Sequence, residues 1–205
     1  FQRGFDGINV PSVLTTLVTD ELDFPNLSMV GVDDRAAAYT AVDYLIRQGH
    51  RKIAVLGGPV TSYPSLMRRQ GAQQAMEDAG ILFNDKLYGL SNYDFESAYH
   101  AMNSLLARRA EFTALFAMSD VIAFGAIRAL VSAGLRVPED ISVIGFDGIT
   151  MSRYCVPVMT TIVQPSEQIA LQSIELLVRQ IEHGTPAQTV TLKPELQQGE
   201  SVKAI

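Results

Sequence analysis

What most limits how this chain can fold is a repeated alternation of short apolar, β-branched runs with longer runs of helical period. Ile53-Ala54-Val55-Leu56, entered from Lys52, is a continuous apolar stretch, the mark of a strand buried on both faces. After a loop from Gly57 to Ser65, Ala72, Ala75, Met76 and Ala79 recur at helical spacing. Gly80 then stands where the residue just past a helix end belongs. Leu87 to Leu90 reads as a weaker strand, followed by a helix carrying Ala98, Met102, Leu105 and Leu106. Thr113 to Ala117 is a strong strand, its helix carries Ala123, Ile127, Leu130 and Val131 and stops at Gly134, and Ile141 to Phe146 closes the series.

These strands start about 25 to 35 residues apart, the size of a βαβ unit. Consecutive parallel strands need such crossovers, so the pattern predicts an α/β fold with open parallel sheets and helices on both faces. In such a sheet the loops at the carboxyl ends of the strands converge, and ligands bind there. Upstream, Leu27 to Val32 reads as a further strand, leading into a helix from about Arg35 that stops at Gly49. Downstream, Met159 to Gln164 is extended and meets Pro165. A long helix follows from about Ser166, with Ile174, Leu177, Val178 and Ile181 as its apolar face and His183-Gly184 at its end; Thr189 to Leu192 is a final strand.

With 205 residues, 47% hydrophobic and 19% charged, the chain is large enough to bury a core as one domain or two lobes. Its net charge is -6, and its basic residues come as pairs (Arg51-Lys52, Arg68-Arg69, Arg108-Arg109) rather than as the stripe of a DNA-binding face. A single cysteine, Cys155, rules out an internal disulfide and reads as an apolar filler. His50, His100 and His183 lack ligand spacing, so neither a metal nor a cofactor is implied. No stretch reaches the roughly 20 apolar residues of a membrane span.

Among residues that carry chemistry, Asp147 follows directly on the strand ending at Phe146, at the carboxyl edge of the sheet. A carboxylate there accepts hydrogen bonds from neighbouring hydroxyls, as a sugar or nucleoside offers; the alternative is a turn carboxylate in Asp147-Gly148. Arg68, near the start of the helix after Gly57-Gly58, offers a guanidinium fork for a hydroxyl pair or a carboxylate, or else is solvated. Ser119 and Asp120 follow the Thr113 to Ala117 strand; one caps the next helix, which does not prevent the other from pointing into a cleft. Tyr93 either stacks on a sugar ring or is an ordinary loop tyrosine, and Gln164 either reaches a ligand or pairs with backbone. Asp33-Asp34 is better explained by a helix N-terminus than by acid/base work. The nucleophile elbow, the phosphate loop and the dinucleotide fingerprint are all lacking, so catalysis finds no support.

The runs FAMSDVIAFGAIRAL from Phe116 to Leu130 and GLRVPEDISVIGFD from Gly134 to Asp147 resemble the lactose-repressor (LacI/GalR) family. So do DDRAAA from Asp33, GHRKIAVLGGP from Gly49, RRQG from Arg68 and TTIVQP from Thr160, in an order and spacing that cover nearly the whole chain from about Asn9. The resemblance implies the effector-binding part of a cytoplasmic, dimeric transcription repressor, built as a two-lobed domain like the type I periplasmic sugar-binding proteins. Operator DNA would be bound by a helix-turn-helix head that this chain lacks, under control of a sugar- or nucleoside-like effector in the inter-lobe cleft.

Residue by residue, the resemblance gives Arg68 a grip on ligand hydroxyls, Asp147 the carboxylate after the last strand of the second lobe, and Ser119 the polar opening of a helix. It gives Tyr93 the stacking aromatic and Gln164 a polar hinge residue. Thr16 stands where many members carry an acidic or amide residue and Val32 where some carry an aromatic, which leaves the identity of the sugar open. The implied domain map is an incomplete first lobe from residues 1–32 and 166–190, a complete second lobe from 33–165, and a C-terminal strand and tail, 191–205, crossing back. The rival reading is a periplasmic sugar-binding protein of a transporter, equally at home with GFDG from Gly145.

Overall fold

In a computed structural model, whose description covers residues 9–205, the chain divides into two units. Residues 1–8, part of the expected first-lobe segment, lie outside the described residues. One unit holds the chain up to Asp33 together with Gln164–Pro194; the other holds Asp34–Val163 and Glu195–Ile205.

The smaller unit is a parallel sheet of three strands, β1 (Ser12–Thr15), β2 (Leu27–Val32) and β8 (Thr189–Leu192), in the order β1-β2-β8, with helix α5 (Ser166–His183) against it. Val30 and Val32 pack on Ile169 and Leu176 of α5. The sequence predicts Ile174, Leu177, Val178 and Ile181 as the packed face; Leu177 is half-buried and the other three are exposed. The buried face runs through Ile169, Ser173, Leu176 and Gln180, because polar groups there find partners: Ser173 Oγ donates to Ile169 O, and Gln180 Oε1 accepts from Ser28 Oγ at 3.0 Å. The helix ends on Gly184 in the left-handed conformation, as its residue type allows.

The larger unit is a sheet of six strands ordered β4-β3-β5-β6-β7-β9. These are β3 (Ile53–Gly57), β4 (Tyr88–Leu90), β5 (Ala114–Ala117), β6 (Ser142–Asp147), β7 (Thr160–Val163) and β9 (Glu195–Gln197). The first five are parallel. The edge strand β9, which the sequence pattern does not mark, is antiparallel to β7. It re-enters this unit after the excursion that begins beyond β7, so it runs back along that strand.

Helices α1 (Asp34–Arg47), α2 (Tyr63–Asp78), α3 (Phe95–Ala107) and α4 (Asp120–Ser132) cover the sheet. Right-handed crossovers put α2, with α1 packed on it, on one face and α3 with α4 on the other. Both helix pairs cross closely at a glycine: a Cβ on Gly71 would lie 2.0 Å from Arg35 O, and one on Gly125 2.6 Å from Phe95 O. Between the layers Phe116, Phe146, Leu56, Met102, Ile122 and Ile144 are fully buried. His50 is buried too, its ring nitrogens 2.9 Å from Thr113 Oγ1 and 3.1 Å from Lys203 O, and burial lowers its pKa; it belongs to the core.

Candidate ligand-binding site

Strand order in the larger sheet reverses direction at β3: the chain goes from β3 outward to β4, then back across to β5. The loops leaving the carboxyl ends of β3 and β5 therefore part, and a crevice opens between them, the usual ligand position in open α/β sheets. Arg68 and Asp147 stand at this edge.

Arg68 lies in the second turn of α2, after a helix start capped by Ser62. Ser65, Arg68, Ala72, Ala75 and Met76 form the inward stripe at helical spacing, which carries the guanidinium under the helix onto the sheet edge. The side chain is therefore buried, which overturns the solvated alternative. Its Nε donates to Asp34 Oδ1 at 2.7 Å, and its Nη1 donates to Met118 O. Nη1 also lies 3.5 Å from Asp147 Oδ1, and the guanidinium carbon sits 3.6 Å above the Phe146 ring centroid. One cation thus ties together the start of α1, the end of β5 and the end of β6. A buried guanidinium is tolerable only with such partners.

Asp147 ends β6 with φ 108, a conformation that side-chain-bearing residues rarely adopt. Its side chain is 27% exposed, so the carboxylate reaches Arg68 while keeping a face to solvent. Asp120 supports this turn from below. Fully buried, it accepts from Ile149 N at 2.8 Å through Oδ2 and from Thr161 Oγ1 at 2.6 Å through Oδ1. Burial, with a smaller contribution from the Asp147 charge, pushes its pKa up to about 6 against these hydrogen bonds.

Ser119 is the residue of the Ser119-Asp120 pair that caps: its Oγ accepts from Ile122 N at 3.1 Å, and it is buried. Its hydroxyl proton is still available for donation. Asp120 is a support rather than the free member of the pair. Tyr93 lies just before α3 with φ 61, its ring pressed on the backbone of Gly58, where an added Cβ would come within 2.1 Å of the ring. Its hydroxyl is buried and makes no hydrogen bond among the described residues. Gln164 opens the second segment of the smaller unit, and its carbonyl accepts from Ser166 N at 2.8 Å. In that unit Thr16 follows β1 with φ 63, and Val32 is buried in the sheet.

Sequence reasoning misses two members of this cluster. Asp34 reads in the sequence as a helix-terminal charge, yet it is the closest partner of Arg68. Asp120 reads as a cap or a ligand group, yet it holds the 147–149 turn. A glycine inside a strand, Gly145, is the available signal, since such a glycine marks a close approach. Among the described residues no cluster of three His, Cys, Asp or Glu is placed to hold a metal, and no helix is long and apolar enough to cross a membrane.

Comparison with known proteins bears on the family and the fold. The periplasmic binding protein-like domain family matches residues 42–202. The HTH-type transcriptional regulator MalR of Clostridium butyricum is 38% identical over 201 residues, 98% of this chain and 60% of the relative. A sugar-binding transcriptional regulator of the LacI family from Escherichia coli, solved in complex with phosphate, superposes with a TM-score of 0.79 at 30% identity. That match covers 87% of this chain and 69% of the other. A transcriptional regulator CelR–cellobiose complex superposes with a TM-score of 0.84 at 30% identity, over 97% and 68% of the two chains. The chain thus spans 60% of the length of MalR, one of its curated relatives. With the βα architecture expected from the sequence in place, the chain belongs to the LacI family of transcriptional regulators and holds that family's periplasmic binding protein-like, effector-binding domain.

Proposed function

We propose that this chain senses a small hydroxylated effector, sugar-like or nucleoside-like, and passes its occupancy to operator DNA through a helix-turn-helix head outside the chain. The observation that carries this reading is the buried Arg68 held by Asp34 and Met118 O beside a partly exposed Asp147. The arrangement presents a fixed cation and a carboxylate acceptor side by side at a sheet's carboxyl edge, which suits adjacent hydroxyls. Tyr93, whose buried hydroxyl makes no hydrogen bond among the described residues, supplies an aromatic face and a polar group, and Ser119 a hydroxyl. Cellobiose in the CelR complex and phosphate in the Escherichia coli regulator are ligands of those proteins. They support a small-molecule site here without fixing which molecule fills it.

Effector control requires that the ligand bind one conformational state better than another, shifting the population that binds operator. The protein then works as a cytoplasmic homodimer. The dimer reading draws on exposed apolar side chains of the larger unit, Val131, Met151, Tyr154 and Val156. The chain is no enzyme in this reading. The test is a calorimetric panel of neutral sugars and nucleosides against the parent and Asp147→Asn, followed by operator binding of the head-bearing protein with and without the hit. Saturable binding that the variant weakens, and that changes operator affinity, supports the proposal; a hit that Asp147→Asn binds unchanged places the ligand elsewhere. Sedimentation equilibrium decides the dimer.

A further inference from the structure

At the amino ends of the strands, away from Arg68 and Asp147, the larger unit carries a second concavity of about 480 Å³. Its walls come from the start of β3, the segment after α2, the 3-10 turn before β4 and the residues following α3. Met76 and Leu87 floor it, Ile81 is half-buried, and Leu82, 90% exposed, stands on the rim. Arg51, Lys86 and Arg109 line the same groove, and no side chain among the described residues pairs with theirs. Two further cations there are already engaged. Lys52 Nζ bonds Glu111 Oε2 at 2.6 Å, and Arg108 Nη1 donates to Lys86 O at 3.2 Å and Tyr88 O at 2.8 Å. Arg109 is moreover held at φ 53, a strained setting for a side-chain-bearing residue.

Gathering unpaired cations around an aliphatic floor does nothing for the fold of a chain whose net charge is -6, because like charges side by side repel. We propose that this groove docks an acidic peptide segment of a partner protein, with an aliphatic side chain over Met76 and Ile81 and flanking carboxylates on Arg51, Lys86 and Arg109. The chemistry separates this occupant from other anions. Among the described residues no aromatic side chain lines the groove to stack a base, as a nucleic-acid strand would need. A bare phosphate would leave Ile81 and Leu82 uncovered.

The test is fluorescence anisotropy of a short labelled peptide alternating glutamate and leucine, titrated with the whole chain at low and at physiological salt. Saturable binding that weakens with salt is expected, and the triple variant R51Q/K86Q/R109Q should lower affinity about tenfold or more. Those side chains are exposed and unpaired, so the variant keeps the parent's thermal unfolding. Asp147→Asn should bind the peptide as the parent does. Absence of binding, or binding untouched by the triple variant, would overturn the proposal. So would displacement of the peptide by equimolar pyrophosphate, or preference for a single-stranded oligonucleotide over the peptide.

Discussion

The Asp120 carboxylate occupies the space that a side chain on Gly145 would need: a Cβ there would lie 2.2 Å from Oδ1. The two residues are one device. The missing side chain in the middle of β6 lets a carboxylate from the first turn of α4 pass over the strand and hold the turn after Asp147. Gly145→Ala is therefore expected to destabilise the fold by about 1–3 kcal/mol, the usual cost of forcing extra volume into a packed site. In an Asp120→Ala background the same substitution should cost much less. Chemical denaturation of the four proteins of this double-mutant cycle checks the coupling; additive penalties would show that the contact is not what makes Gly145 necessary.

A pH dependence follows from Asp120. Its pKa in the folded chain is about 6, raised from 3.8, so the fold favours the protonated carboxyl. The stabilisation from that proton is complete below the unfolded value and is lost as pH rises through about 6, by up to about 3 kcal/mol. Asp120→Asn keeps a carbonyl for Ile149 N and turns an NH2 towards Thr161 Oγ1. Its unfolding free energy should vary less between pH 4 and 7 than the parent's, and at pH 7 it should match or exceed it. A variant curve parallel to the parent's would assign the titration to another group.

The division between what the sequence discloses and what it hides is physical. Strands such as Ile53–Gly57 and Ala114–Ala117 are buried on both faces and announce themselves as unbroken apolar runs. Periodicity also places Arg68 and Asp147 on the carboxyl edge. It cannot show that Arg68 is buried, because that depends on Asp34 and Met118, which are distant in sequence and brought in by the crossover. Strand β9 leaves no periodic mark because three residues make no pattern, and only the resemblance implies a C-terminal strand there. The face of α5 is misread because two apolar stripes compete along it, and the buried one is chosen by hydrogen bonds of Ser173 and Gln180. Positive φ at Tyr93 and Asp147 leaves no trace in residue type.

Asp147 is held in a strained turn. Holding a non-glycine residue at φ 108 costs on the order of 1–3 kcal/mol. Asp147→Gly removes that strain, and Arg68 retains Asp34, so the variant should be more stable than Asp147→Asn by about 1 kcal/mol or more. Both should lose effector binding. Equal stability of the two variants, in thermal unfolding without ligand, would mean that the turn carries no stored strain.

Arg68 carries the opposite balance. Arg68→Leu removes the cation that bonds Asp34, itself 6% exposed, and deleting one member of a buried ion pair typically costs about 3–5 kcal/mol. The double variant Arg68→Leu/Asp34→Leu should recover much of that loss without recovering effector affinity. Urea unfolding of the single and double variants makes the comparison. A double variant no more stable than the single one would show that Arg68 acts through Met118 O and Phe146 alone.

The charge count at the proposed site predicts which effectors it would favour. Asp34 and Asp147 flank a single guanidinium, and Asp120 lies buried behind them, so the carboxylates outnumber the cation. A neutral hydroxylated ligand accepts and donates hydrogen bonds there without adding charge, whereas a phosphate ester must approach Asp147. For a sugar that binds, its phosphate ester is expected to bind about tenfold or more weakly at pH 7, with the gap narrowing in Asp147→Asn because one repelling carboxylate is gone. Calorimetry on the matched pair of ligands against both proteins measures this. A phosphate ester that binds the parent more tightly than its neutral sugar would reverse the assignment and make Arg68 an anion receptor.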